Sequence, residues 1–166
     1  KLKNFLGNRN KGVNIIYVEN DIYDQTNNIY SICLAKELLS EDDTILIESD
    51  LIFDSKILSK LIENPTKNLV LVEKHKPWMD GTVVKLDNDF TITHFVDKSQ
   101  FDYSEISDYY KTLNMYKFSK DFLNQVYLPF LDSYSQVLGI NEYYEQVLNV
   151  IVNLKMKNLK AQMVKQ

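Results

Sequence analysis

Apolar residues along this chain follow two alternating periods. Residues 14–18 (NIIYV), 44–47 (TILI) and 68–72 (NLVLV) are short unbroken runs. Runs of that length, rich in β-branched residues and without polar alternation, read as strands buried on both faces. Between them the spacing turns helical. Ile29, Ile32 and Cys33, widened by Leu34, Ala35, Leu38 and Leu39, make one apolar face in a helix that Thr26 or Asn27 caps. Ile57, Leu58, Leu61 and Ile62 make another, in a helix opened by Asp54 or Ser55 and ended by Asn64-Pro65. Residues 1–6 read as the tail of a helix stopped by Gly7 and Asn8. This β-α-β-α-β alternation predicts a parallel sheet with helices on both faces.

After Trp78 the pattern changes. Residues 81–86 and 90–95 flank Asp87-Asn88-Asp89 and predict an antiparallel hairpin. Residues 110–118 alternate like a strand, Ser119 begins a helix through Val137 that Gly139 stops, and Asn141 caps a further helix to about Leu154. A last strand is expected over 159–164. The whole is a three-layer α/β fold with a mixed, mainly parallel sheet, expected as one domain over residues 1–166.

Composition narrows the class. With 166 residues and 45% hydrophobic content, the chain can bury one substantial core. The net charge of −4 arises from 23 acidic and 19 basic residues that are intermixed. No basic stripe tracks a phosphate backbone, so nucleic acid is not an expected partner. Cys33 is the single cysteine, which leaves no intrachain disulfide and no cysteine metal site. No apolar run approaches the ~20 residues of a membrane span, and the first residues lack the apolar core of a secretory signal. A cytoplasmic protein without a membrane partner is expected; its oligomeric state is not set by the pattern.

Candidate chemistry begins where TILI runs into Glu48-Ser49-Asp50-Leu51-Ile52-Phe53-Asp54. Open α/β sheets bind ligands beyond the carboxyl ends of their strands. A carboxylate such as Asp50 there can hold Mg²⁺, which prefers oxygen ligands and commonly bridges carboxylates to substrate phosphates. Helix capping by Asp50 or Asp54 is the other reading of the same residues.

An ordered set of segments carries a resemblance. Thr26-Asn27-Asn28-Ile29-Tyr30-Ser31 opens a helix, and Glu48-Ser49-Asp50 ends a strand. Met79-Asp80-Gly81-Thr82-Val83-Val84, Tyr110-Lys111-Thr112-Leu113-Asn114-Met115-Tyr116 and Asn141-Glu142-Tyr143-Tyr144-Glu145-Gln146 follow. Together they resemble the nucleotidyltransferases of phosphocholine and phosphonate metabolism, within the sugar-phosphate nucleotidyltransferase superfamily. The resemblance implies a Rossmann-like nucleotidyltransferase fold. It also implies attack of a phosphate or phosphonate oxygen on the α-phosphorus of CTP with release of pyrophosphate. Such chemistry depends on charge neutralisation and in-line positioning.

The same resemblance assigns roles. Asp50 matches the family's metal-binding aspartate and would hold Mg²⁺, while Glu48 is expected to point elsewhere because strand residues alternate faces. Asn28 and Ser31, with Asn27, stand where relatives contact the nucleotide at a helix start, with ordinary capping as the alternative. Lys74, Lys76 and Lys111 are candidates for anion binding, with Lys111, inside Tyr-Lys-Thr-Leu-Asn, the expected catalytic lysine. Trp78, Glu142 and Tyr143 combine aromatic faces and a carboxylate, a set that suits the cationic end of phosphocholine, phosphoethanolamine or 2-aminoethylphosphonate. Core packing is the alternative for the aromatics. The expected partners are a nucleoside triphosphate and a small phosphorylated acceptor.

The chain also departs from the family pattern. Its four glycines, at 7, 12, 81 and 139, form no glycine-rich loop, and Lys165-Gln166 comes before any acidic cluster. The sequence is therefore expected to be the central part of a longer enzyme. A sugar-1-phosphate nucleotidyltransferase and a non-catalytic binding or regulatory domain on the same fold stay open. A metal-dependent glycosyltransferase fits Glu48-Ser49-Asp50 poorly.

Overall fold

The computed structural model describes residues 2–96, 98–156 and 159–164. A short helix, α1 (Leu2–Leu6), ends at Gly7, whose φ of 65° is the left-handed conformation a glycine adopts without strain. Two two-residue strands, β1 (Arg9–Asn10) and β2 (Val13–Asn14), pair with each other. The next helix, α2 (Asn28–Leu34), is capped by Asn27, whose side chain accepts the Asn28 amide at 2.8 Å. It breaks at Ala35 into α3 (Lys36–Leu39).

β3 (Thr44–Ile47) leads to α4 (Ser55–Glu63), where the Asp54 carboxylate accepts the Lys56 amide at 2.9 Å. β4 (Leu69–Lys74) and the hairpin β5 (Val83–Leu86) and β6 (Ile92–Val96) follow. The hairpin turn is held by the Asp87 carboxylate, which accepts the amides of Asp89 and Thr91. β7 (Tyr109–Phe118) runs into α5 (Lys120–Phe122), capped by the Ser119 hydroxyl. A π-turn over Leu123–Tyr127 joins it to α6 (Leu128–Leu138). Pro129 at the start of α6 has no amide to return to the preceding turn, which accounts for the widened winding there. α7 (Tyr144–Asn153) and β8 (Lys160–Met163) complete the described elements.

Six strands make one sheet in the order β6-β5-β7-β4-β8, with β3 also pairing β7. Val70, Val72, Tyr116 and Phe118 point to one face, where Ile29, Leu131, Leu148 and Ile151 cover them. Leu69, Leu71 and Met115 point to the other and pack on Leu61 of α4. A fully buried side chain of this size contributes roughly 1.5–3 kcal/mol, so the two clusters account for the layering. The three-layer α/β arrangement with a mixed sheet is as expected. β3, β4, β5 and β8 share one direction, yet among the described residues only β4 and β8 pair in parallel. β7 inserts between their edges and pairs antiparallel with β3, β4 and β5.

Three expectations differ in detail. Residues 14–18 pair only at Asn14, and Ile16 is 69% exposed. Among the described residues β3 pairs with β7 alone, so it is a half-buried edge strand. The helix expected from Asn141 starts at Tyr144, because its first amide is satisfied from another element.

One irregularity organises everything that follows. β3 and β5 lie end to end along the same edge of β7, with Ile47 opposite Met115 and Val83 opposite Lys111. Between them Asn114 has φ 52°, and the β4 ladder on the other edge shifts register between Val70 and Val72. A bulged strand bends and twists, and here the bend leaves a gap in the sheet.

Candidate active site in the gap between two strands

A pocket of about 420 Å³ fills this gap. Lys111 enters it from β7, Glu48 from the end of β3, Asp80 and Gly81 from the start of β5, and Asn28 and Glu145 from the first turns of α2 and α7. Thr82, Asn114, Tyr143 and Gln146 complete the lining.

Lys111 is held from below. Its Nζ donates to the Thr112 carbonyl at 2.9 Å and lies 3.4 Å from the Thr112 hydroxyl. Burial lowers its pKa, because the charged ammonium loses hydration, while the neighbouring carboxylates of Glu145, Glu48 and Asp80 oppose that shift. Gly81 (φ 93°) sits against it. A Cβ at that position would stand 3.2 Å from Lys111 Nζ, so glycine both permits the turn and leaves the ammonium its space.

Glu48 accepts from Asn114 Nδ2 at 2.5 Å and from the Tyr144 hydroxyl at 3.1 Å. Asn114 is in turn fixed by the Thr112 hydroxyl, which donates to its Oδ1 at 2.9 Å. Across the pocket, Asn28 Oδ1 accepts the Tyr144 amide at 2.9 Å, which supplies the cap of α7 from α2. Backbone bonds from Asn27 to Ile140 and from Ile29 to Glu142 lock the same two helix starts together.

Glu145 is 6% exposed. Burial pushes its carboxyl up to about 7; nearby Glu48 adds to the rise, while its own backbone amide and Lys111 oppose it. Its Oε2 has no hydrogen-bond partner among the described residues, nor do the hydroxyls of the core residues Tyr116 and Tyr127. Burial likewise raises the Tyr116, Tyr127 and Tyr144 phenols.

Of the residues singled out from sequence, Lys111, Asn28 and Tyr143 meet in the pocket. Asp50 does not join its lining; it lies exposed in the turn after β3. Strand alternation holds only while the strand continues, and β3 stops at Ile47. Glu48, expected to point elsewhere, therefore carries the pocket carboxylate. Ser31 is exposed, with its hydroxyl 3.4 Å from Asn20 Nδ2. Trp78 is 76% exposed beneath the Lys76 ammonium, 5.3 Å from its ring, while Lys76 pairs with Glu73 at 2.8 Å. Lys74 donates to the Ser107 carbonyl and sits 4.2 Å over the Tyr110 ring. The Glu142 side chain is not in the lining, although its carbonyl ties α2 to the start of α7. Asp80 and Asn114 belong to segments that carry the resemblance, and Glu145 to the Glu142-Tyr143-Tyr144-Glu145 segment at a helix start whose carboxylates suit a cationic acceptor; the structure places all three in the pocket.

Among the described residues no group of three or more His, Cys, Asp or Glu side chains is arranged to hold a metal ion. Asp50 alone offers one exposed carboxylate. That fits Mg²⁺ only in the mode where one or two carboxylates join substrate phosphates around the ion. No described helix is long and apolar enough to cross a membrane.

No protein-family model matches the chain. It is 30% identical over 149 residues, 89% of its length, to the CMP-5'-(3-aminopropyl)phosphonate synthase of Streptomyces rubellomurinus (strain ATCC 31215), and it spans 24% of that protein. The CTP:phosphocholine cytidylyltransferase of Streptococcus pneumoniae superposes with a TM-score of 0.67 and 16% identity, covering 99% of this chain and 63% of that one. The inositol-1-phosphate CTP transferase of T. maritima does so with a TM-score of 0.67 and 20% identity, covering 98% and 59%. The chain has the fold of these nucleotidyltransferases, and each of the three names contains a cytidine nucleotide.

Proposed function

We propose that this protein takes part in transfer of a cytidylyl group from CTP to a small phosphonate or phosphate that carries an amine. The observation that carries the reading is Lys111, a lysine with lowered proton affinity, held in the gap beside three carboxylates. An acceptor oxygen forms a bond to the α-phosphorus while the bond from that phosphorus to the bridging oxygen breaks, and pyrophosphate leaves. Such a reaction needs positioning and charge neutralisation more than a covalent nucleophile.

A phosphonate oxygen arriving beside Lys111 gives the ammonium an anionic partner and offsets its loss of hydration. Gly81 keeps that approach open, and Thr112 aims the side chain from behind. The Asn28 amide group, at the start of α2, is the nucleotide-side contact, with Ser31 one turn further along the helix. Asp50 would give one carboxylate to Mg²⁺ bound chiefly by the triphosphate, where the ion supplies charge neutralisation. The similarity to a relative named for CMP favours cytidine over other bases.

The test is pyrophosphate release with CTP, UTP and dTTP, each paired with 2-aminoethylphosphonate, 3-aminopropylphosphonate, phosphocholine and glucose 1-phosphate. CTP with an amine-bearing acceptor is expected to be fastest. Preference for glucose 1-phosphate would move the assignment to sugar-phosphate nucleotidyl transfer, and no release with any pair would leave a binding domain.

A further inference from the structure

We infer that the pocket selects an acceptor ending in a primary ammonium, whose N–H groups bind the buried Glu145 and Glu48 carboxylates, over one ending in a quaternary ammonium. This rests on the reading above for placing the acceptor beside Lys111. Glu48, from the end of β3, and Glu145, from the first turn of α7, line the same pocket. Asp80 is a third acidic residue in the lining and Lys111 is the cation among them. Lys111 does not spend its ammonium on these groups; it donates to Thr112.

What separates a primary from a quaternary head is hydrogen bonding. Glu145 Oε2 is buried and has no hydrogen-bond partner among the described residues, and a buried acceptor left unsatisfied is costly. An –NH₃⁺ group has three donors, whereas a trimethylammonium has none and would leave that oxygen as it is. A quaternary head instead favours aromatic faces. Among the lining residues only Tyr143 provides one, and it is 55% exposed. The buried Tyr116 and Tyr144 rings pack on each other, with centroids 5.7 Å apart, and are outside the lining, while a second aromatic group is His75, Phe101 and Tyr103. It lines a separate cavity of about 100 Å³ that shares only Asp80 and Gly81 with the main pocket. There Phe101 is already packed by Tyr103 and Tyr109, with centroids 5.0 and 4.7 Å away. Trp78 lies on the surface, outside both cavities.

The deciding experiment is calorimetric titration of the protein, with and without CMP, using 3-aminopropylphosphonate, its N,N,N-trimethyl derivative and amine-free propylphosphonate. The primary amine is expected to bind at least tenfold more tightly than either analogue. Glu145→Gln is expected to shrink that advantage below threefold. The comparison of the three probes on the unaltered protein stands even if the variant misfolds. Equal or tighter binding of the trimethyl derivative, or of propylphosphonate, overturns the selection while leaving acceptor binding and nucleotidyl transfer intact. A folded Glu145→Gln protein that keeps the full preference removes Glu145 from it. Saturable binding of none of the three takes down both this inference and the acceptor site beneath it.

Discussion

Two open regions of this molecule contain lysines and carboxylates, and they differ in whether those groups have found each other. At the β8 edge a groove of about 530 Å³ is larger than the gap pocket. Its charges are committed: Lys160 pairs with Asp89 at 2.6 Å and also bonds Thr91, Lys60 caps the Val164 carbonyl, and Asn64 bonds Gln162. In the gap between β3 and β5, Lys111 donates to the Thr112 carbonyl rather than to a carboxylate, and the buried Glu145 Oε2 has no hydrogen-bond partner among the described residues. Size does not separate the two; unfulfilled chemistry does. Perturbed, partly buried ionisable groups converging in a cleft are the physical mark of a functional site, while exposed and mutually satisfied pairs add little.

The sharpest way to break this contrast is at Lys111. Lys111→Ala is expected to lower kcat/KM for pyrophosphate release by about 10²–10³, the scale of losing one electrostatic stabiliser. Lys160→Ala, in the groove, should leave turnover within twofold. Equal losses at both would erase the distinction.

Stability should move in the opposite direction at the same pocket. Glu145 ionises at about 7 in the folded protein against an ordinary 4.5, so the folded state binds its proton more tightly than the unfolded chain does. Its contribution to stability is therefore favourable at low pH and is lost as pH rises from about 4.5 to 7. Glu145→Gln is expected to stabilise the protein by roughly 3–3.5 kcal/mol at pH 8, at about 1.4 kcal/mol per pKa unit, and by little at pH 4. Urea denaturation at the two pH values reads this directly. A variant less stable at pH 8 would mean that the carboxylate has a hidden partner.

Gly81→Ala tests the packing between the two. The new Cβ meets Lys111 Nζ at 3.2 Å and the residue must keep φ 93°. A loss of about 1 kcal/mol in stability is expected from the backbone alone, with roughly a tenfold rise in acceptor KM from displacement of the ammonium. The smallest effect belongs to the groove. Lys160→Ala should cost about 1 kcal/mol, since its ammonium joins Asp89 and Thr91 with the side chain only 27% exposed.

Much of this architecture was legible in the periodicity of the sequence. The strands at 44–47, 69–74 and 109–118 and the caps at Asn27, Asp54 and Ser119 follow from local rules, because each residue acts on its own turn or ladder. The insertion of β7 was not legible, since which strands become neighbours depends on contacts far apart in the chain. For the same reason the gap, and with it Glu48 in place of Asp50 in the pocket, could not be read. The strand's last residue decides which face an acid takes, and a one-residue difference in where it stops reverses the answer. Lys111 and Asn28 were found through the resemblance and lie in the pocket. Trp78 was chosen for its chemistry and lies on the surface, because an aromatic in a turn between strands has no element to carry it inward.

The most direct test of the account is to follow backbone amide signals by NMR as 3-aminopropylphosphonate is added. Changes at Gly81, Thr82, Asn114 and Gln146, with Ala161 and Gln162 unmoved, are the result predicted for an acceptor seated in the gap beside Lys111. Changes confined to Ala161 and Gln162 at the β8 groove, with Gly81 and Asn114 still, would contradict it.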